Sequence, residues 1–254
     1  NNIAYVQIGF DALNVPLNKI PYLSLIGSLV LGMGTRQHSY MEISQLLGIH
    51  TGGLRPWHFT ASNINDPKNI LSRTFFSGKV LMGNLDHLFN IWEEVIFEYD
   101  FNNPKRLIEI IKSSKAGMED SILSSGNHYV LSRLNSYQSL LGKYNELVDG
   151  ISYYRFLEKL LVRAEKNPDE VAEEFRGVAQ SLFTKENILV NITAPESDYK
   201  IIEKRAIGLT QKLSNKKQSP ADLKFDVGPI NEAFLTASSV QFVGKGANLF
   251  ELGM

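Results

Sequence analysis

The residues best suited to ligate a metal or move a proton are five histidines, His38, His50, His58, His87 and His128. No two of them stand four apart, and neither H-E-x-x-H nor H-x-x-E-H occurs. A helix presenting two zinc-binding imidazoles beside a general base is therefore absent. His50 and His58 flank a Gly-Gly step; on one strand they would share a face but lie roughly 26 Å apart. They do not converge on one ion without a sharp bend. The five read as separate hydrogen-bonded or surface groups. There is no cysteine, which excludes disulfides and thiolate-metal sites.

Other chemistry is equally sparse. No G-x-S-x-G elbow occurs, and Ser125 in "SSGNHY" reads as a helix start rather than as a partner of His128. "VGKGANL" lacks the third glycine of a dinucleotide loop and the G-K-[ST] of a phosphate loop, so it reads as a turn. Glu93-Glu94 and Glu173-Glu174 read as solvated helix faces. Phe89, Trp92 and Tyr99 fall at core spacing and not in a cofactor box.

The elements that would position a site are clearer. Ala4, Val6, Ile8 and Phe10 alternate, which predicts a half-buried strand over 3–10. After Pro21 the pattern predicts a helix burying Leu25 and Leu29, stopped by "GMGT". A second helix is expected over about 39–47, then strands over 54–63 and 69–81. Pro56 argues that the first of these lies at an edge or a bulge. Five helices are expected next, over about 84–99, 102–123, 124–141, 151–166 and 167–183. A buried strand over 186–194 and a last helix over 196–214 complete the pattern. Strands close enough for antiparallel pairing, segregated from a long helical run, predict an α+β fold: a mostly antiparallel sheet with helices packed on one side. Residues 1–218 are read as one unit, 219–231 as a linker, and 232–254 as the opening strand of a following, truncated unit.

With 254 residues, the chain is long enough for a sizeable core. Its formal net charge of −1 gives no electrostatic reason to expect nucleic acid or an anionic membrane as partner. The most apolar window, residues 22–34, falls short of the about 20 residues a bilayer span needs. The opening "NNIAYVQIGFDAL" has no signal-peptide architecture and starts within a strand pattern, which suggests a piece of something longer.

Five stretches taken in order carry a resemblance: "YVQIGFDALNVP", "IPYLSLIGSLVLGMGT", "LLGIHTGGL", "FSGKVLMGNLDHLFNIWEEVI" and "SSGNHYVLSRL". Together they resemble a non-catalytic unit of the pitrilysin-type (inverzincin) zinc metallopeptidases, in the presequence-protease and falcilysin branch. The likeness is to the third of four homologous units, the first of the C-terminal half, with a processing-peptidase-like fold. In the catalytic unit of that family H-x-x-E-H lies on the first helix. Overlaying its Gly-Thr turn on Gly34-Thr35 puts the zinc histidines at Leu25 and Leu29 and the glutamate at Ser28. Leu does not bind zinc, and Ser is a poor base for activating a zinc-bound water.

The resemblance implies a parent zinc metalloendopeptidase that encloses unstructured peptides, with no cofactor in this fragment and zinc elsewhere in the parent. Alone, the fragment is expected to be inactive. Its role would be to shape the chamber and to pack against the fourth unit, so its partners are other units of the same polypeptide and, in the parent, peptide substrates. The stretch Thr51, Gly52, Gly53, Leu54 and Arg55 corresponds to the strand that holds substrate by strand addition. The Gly-Gly pair also suits nothing more than a tight lead-in to the sheet. A bacterial cytoplasm is the expected compartment, or an organelle lumen in a eukaryote. The alternative is an inactive scaffold or binding module of the same fold that belongs to no protease.

Overall fold

Alternation in the first strand decides which way the sheet faces. In the computed structural model, which describes residues 2–215 and, beyond them, 223, 225, 228, 230–237, 239–249 and 253, β1 (Ile3–Asp11) buries Ala4, Val6, Ile8 and Phe10 completely. It lies between β3 (Asp66–Leu81) and β4 (Leu189–Thr193), antiparallel to both, with Ile8 opposite Phe76 on one side and Val190 on the other. Strand β2 (Leu54–Asn63) forms a hairpin with β3, giving the order β2-β3-β1-β4. The fold is α+β, its sheet antiparallel throughout, as the pattern predicts.

Helices cover the face on which the β1 core residues lie. Helix α1 (Leu23–Gly32) packs against β2 and against most of the helical layer. Its contact with β2 is unusually close: a Cβ on Gly27 would stand 2.3 Å from Pro56 Cβ, so only glycine fits there. Helix α2 (Tyr40–His50) begins with a capping box, in which Ser39 accepts from the Glu42 N–H and the Glu42 carboxylate accepts from Ser39 N. Helix α3 (Leu85–Phe97) turns Leu88, Phe89, Trp92 and Val95 inward. Behind α1 stand α4 (Pro104–Ser124), α7 (Ile151–Lys166) and α8 (Pro168–Leu182), and α9 (Glu196–Gln211) lies against α3 and β4.

The structure departs from the sequence reading at several points. The helix expected over 124–141 is two, α5 (Gly126–Ser136) and α6 (Leu140–Asp149). The chain doubles back so tightly that a Cβ on Gly142 would sit 2.1 Å from Asn135 O, and Ser139 caps the new helix by accepting from Gly142 N at 3.0 Å. Strand β4 is not buried; its residues alternate between half-buried and exposed, because it pairs only with β1. Glu94 is not solvated but accepts from Thr35 Oγ1 and meets His38 Nδ1 at 2.8 Å. Glu174 binds Lys19, Tyr22 and Arg163.

The run expected as a strand from 232 onward holds no strand among the described residues, and "VGKGANL" carries a turn at its last residue, Leu249. The segment instead lies along α5. Arg133 donates to both Glu232 oxygens at 2.7 and 2.9 Å, Phe234 lies under the Arg133 and Arg155 guanidiniums, and Phe242 packs at Gly126. The linker expected over 219–231 falls mostly outside the described residues.

Candidate functional site

The outer edge of β2 is bare: among the described residues no strand pairs with it. Its polarity follows from the register. Gly52 N donates to Lys79 O at 2.7 Å and Lys79 N to Gly53 O at 3.2 Å, so the strand begins in a bulge. Antiparallel alternation then aims the backbone groups of Arg55, Trp57 and Phe59 at β3 and leaves those of Leu54, Pro56, His58 and Thr60 pointing outward. The free edge thus offers N–H and C=O groups at Leu54, His58 and Thr60, but at Pro56 only a carbonyl. An added strand would pair on either side of a one-residue gap.

Beside this edge runs a groove of about 690 Å³ between α1 and α2, lined by Ser28, Leu31, Gly32, Tyr40, Met41, Leu54 and Pro56 among others. Arg106 of α4 closes one end. It donates from Nε to Gly32 O at 2.8 Å, capping the end of α1, and its guanidinium lies 4.1 Å from the Tyr40 ring centroid.

The five expected contact residues have different roles here. Thr51 ends α2, donating from Oγ1 to Leu47 O at 2.7 Å and accepting from Gly53 N at 3.0 Å. Gly52 and Gly53 form the bulge, and Gly53 holds φ at +111°, where an L side chain is strained. Leu54 is buried and lines the groove, while Arg55 points to the opposite face of the sheet. Of the three overlaid positions on α1, Ser28 is exposed in the groove; Leu25 and Leu29 lie in the core. The structure therefore brings Ser28 and Leu54 together and separates both from Arg55, Leu25 and Leu29. Sequence reasoning missed Tyr40, Met41 and Arg106. Arg106 reaches Gly32 across 74 positions of sequence, so no local pattern signals it.

A buried polar chain holds the edge from beneath. His58 packs parallel to Tyr144 of α6, with ring centroids 6.0 Å apart. Ser72 Oγ donates to Tyr144 Oη at 2.8 Å and lies 3.0 Å from His58 Nε2, while His58 Nδ1 lies 3.2 Å from Thr74 Oγ1. A neutral imidazole protonated on Nε2 completes this chain, giving to Ser72 and taking from Thr74. Burial pushes the His58 pKa down to about 4, which keeps the ring neutral.

These residues do not suit a metal. The α1 positions offer no imidazole or carboxylate, and no cluster of three or more potential ligands occurs among the described residues. The histidines are not all separate, however. His50 and His87 stack with centroids 3.8 Å apart and planes 5° apart, but parallel rings aim their nitrogen lone pairs in parallel planes and do not converge on one ion.

An antiparallel sheet covered on one face, with a groove beside its bare edge, defines an α+β unit. Two solved structures share its fold: a conserved protein from Enterococcus faecalis V583 (TM-score 0.58, 12% identity, covering 92% of this chain and 52% of that one) and a peptidase M16 inactive domain from Pseudomonas fluorescens (0.55, 14%, 87% and 49%). In sequence, residues 1–160 match the family of domains associated with peptidases of M16 subfamily C, and the chain belongs to that family. It is similar to Protein HypA of Clostridium perfringens, 27% identical over 98% of this chain and 25% of the relative. Presequence protease 1, chloroplastic/mitochondrial, of Arabidopsis thaliana is 25% identical over all of this chain and 23% of its own length. The mitochondrial presequence protease of Saccharomyces cerevisiae is 28% identical over 63% of this chain and 16% of its own. The chain spans about a quarter of the first two relatives. No helix among its described residues is long and apolar enough to cross a membrane.

Proposed function

We propose that this unit is a wall of the chamber in which a zinc metalloendopeptidase encloses and degrades unstructured peptides. It stands third of four units and packs against the fourth, for which residues from 232 onward supply the opening segment. The metal, the general base and the groups that grip the scissile bond come from other units; here Leu25, Ser28 and Leu29 occupy the places where such chemistry has been lost. The parent works in a bacterial cytoplasm, or in an organelle lumen if eukaryotic.

The bare β2 edge beside the α1–α2 groove carries this reading. An extended peptide adds to such an edge through main-chain bonds, which suits substrates with no fixed sequence. Pro56 interrupts the ladder and limits how many consecutive residues it holds.

The test is Gly53→Val in the full-length polypeptide. A β-branched residue at this φ is strained and shifts the start of β2. Cleavage of a short and a long peptide is measured beside the melting temperature. A change in the ratio of the two kcat/KM values with the fold intact is expected. A uniform loss that tracks melting would make the Gly-Gly step a lead-in to the sheet and nothing more.

A further inference from the structure

The sheet's other face, away from the helices, carries aromatic rings. Trp57 and Phe59 are 40% and 39% exposed and Tyr5 46%, large values for side chains of a paired sheet. Trp57 stacks on Phe75, with centroids 4.6 Å apart and planes 12° apart. Phe75 in turn lies over Gly9, where a Cβ would meet its ring at 2.5 Å. The bare backbone of β1 is thus the floor on which two stacked rings rest.

A hydrogen-bonded row across all four strands fixes the indole. Asn191 of β4 donates to Gln7 Oε1 of β1 at 3.0 Å, and Gln7 Nε2 donates to Ser77 Oγ of β3 at 3.0 Å. Trp57 Nε1 of β2 donates to the same hydroxyl at 2.7 Å. With its N–H engaged, Trp57 offers a ligand only π surface. The flanking charge is mainly positive. Over the registers from Phe75 to Leu81, the outward positions of the four strands hold Arg55 and Lys79 and no carboxylate. The register of Phe59 adds Arg73 and one carboxylate, Asp11, which accepts from Asn187 Nδ2 at 2.9 Å. Arg55 and Trp57 stand two apart on β2, roughly 7 Å.

We propose that this face is a binding platform for an extended acidic peptide, one that sets a bulky apolar side chain on Trp57 and a carboxylate on Arg55 or Lys79. Side chains i and i+2 of an extended peptide have the same spacing as Trp57 and Arg55, so one strand of ligand reaches both. The platform rests on the chamber-wall reading, which turns this face toward peptide.

Trp57 is also the reporter, because the only other tryptophan, Trp92, is fully buried. The 254-residue chain is titrated with two synthetic peptides of equal length, one placing Phe and Glu at i and i+2, the other Phe and Lys. The Phe/Glu peptide is expected to quench the exposed tryptophan and to bind roughly tenfold tighter, and Arg55→Glu with Lys79→Glu is expected to reverse that preference. Equal binding of the two peptides, or binding without quenching, overturns the platform. So does protection of Trp57 from acrylamide in the full-length polypeptide without peptide, since another unit then covers the face. If the platform fails while Gly53→Val still alters length preference, the chamber-wall reading survives. If Gly53→Val changes nothing selectively and quenching persists, the β2 edge is no peptide contact and the wall's contact with peptide is this face instead.

Discussion

Two polar rows cross this sheet, one on each face, and burial gives them different work. On the helix face, Thr74, His58, Ser72 and Tyr144 pass hydrogen bonds from β2 and β3 to α6. Ser72 and Thr74 are 1% and 2% exposed, so a broken link there leaves a donor or acceptor with no water to replace the lost partner. On the open face, Asn191, Gln7, Ser77 and Trp57 form a row of the same kind, but solvent reaches it. Water can take over any link in that row. The first row therefore holds the fold, and the second holds the angle of one ring.

The largest effect should come from charging the covered face. Leu25 is 2% exposed and Ser28, three residues on, is exposed. Leu25→Asp puts a carboxylate in an apolar site, with a cost on the order of several kcal/mol and a large drop in melting temperature. Ser28→Asp should stay within about 0.5 kcal/mol of the parent. If both variants melt alike, α1 does not pack as described and the contrast between covered and open faces collapses.

Acid should act on the covered row alone. The His58 pKa falls from an ordinary 6.5 to about 4 in the folded chain. Between those values the unfolded chain binds more protons, so stability falls as pH falls from about 6.5 and levels off below about 4. The full span is worth up to about 3 kcal/mol. Denaturant midpoints across that range check it, with His58→Gln as control. The variant should lose stability at neutral pH and lose that part of the pH slope. An unchanged slope would mean that the imidazole is not held neutral.

Much of this architecture is legible in the chain, and what is not has a common cause. Alternation of Ala4, Val6, Ile8 and Phe10 marks β1 because one covered face imposes period two. Pro56 marks the edge, because its missing N–H is tolerated only where no strand pairs. The helix over about 39–47 is readable from its apolar pattern, whereas the capping box of Ser39 and Glu42 that starts it is a finding of the structure. The break between α5 and α6 is not, because it depends on how closely Gly142 meets Asn135 O after the chain has turned. Strand β4 looks buried in sequence because its apolar run says nothing about how many neighbours it has. Glu94 and Glu174 look solvated because their partners, Thr35, His38 and Lys19, lie far away in the chain. The candidate site divides the same way: Leu54 and Pro56 follow from the edge pattern, whereas Arg106 and the Trp57 platform come from pairings between distant segments.

The smallest expected effect is also the sharpest test of the comparison. Ser72 and Ser77 lie on one strand, five residues apart, and point to opposite faces. Ser72 links His58 to Tyr144 in the covered row; Ser77 accepts from both Gln7 and Trp57 in the open one. Ser72→Ala should cost about 1–3 kcal/mol, since two buried groups lose their partner together. Ser77→Ala should cost no more than about 0.5 kcal/mol, because Gln7 and the indole N–H turn to water. It should nonetheless loosen the ring. Without its anchor, Trp57 gains freedom about its side-chain torsions, so its fluorescence anisotropy should fall and the near-ultraviolet dichroism should weaken while melting is unchanged. Equal melting shifts for the two serines would erase the distinction between the rows. A silent Trp57 signal in Ser77→Ala would mean that stacking on Phe75 alone fixes the indole and that the row across the four strands does not position it.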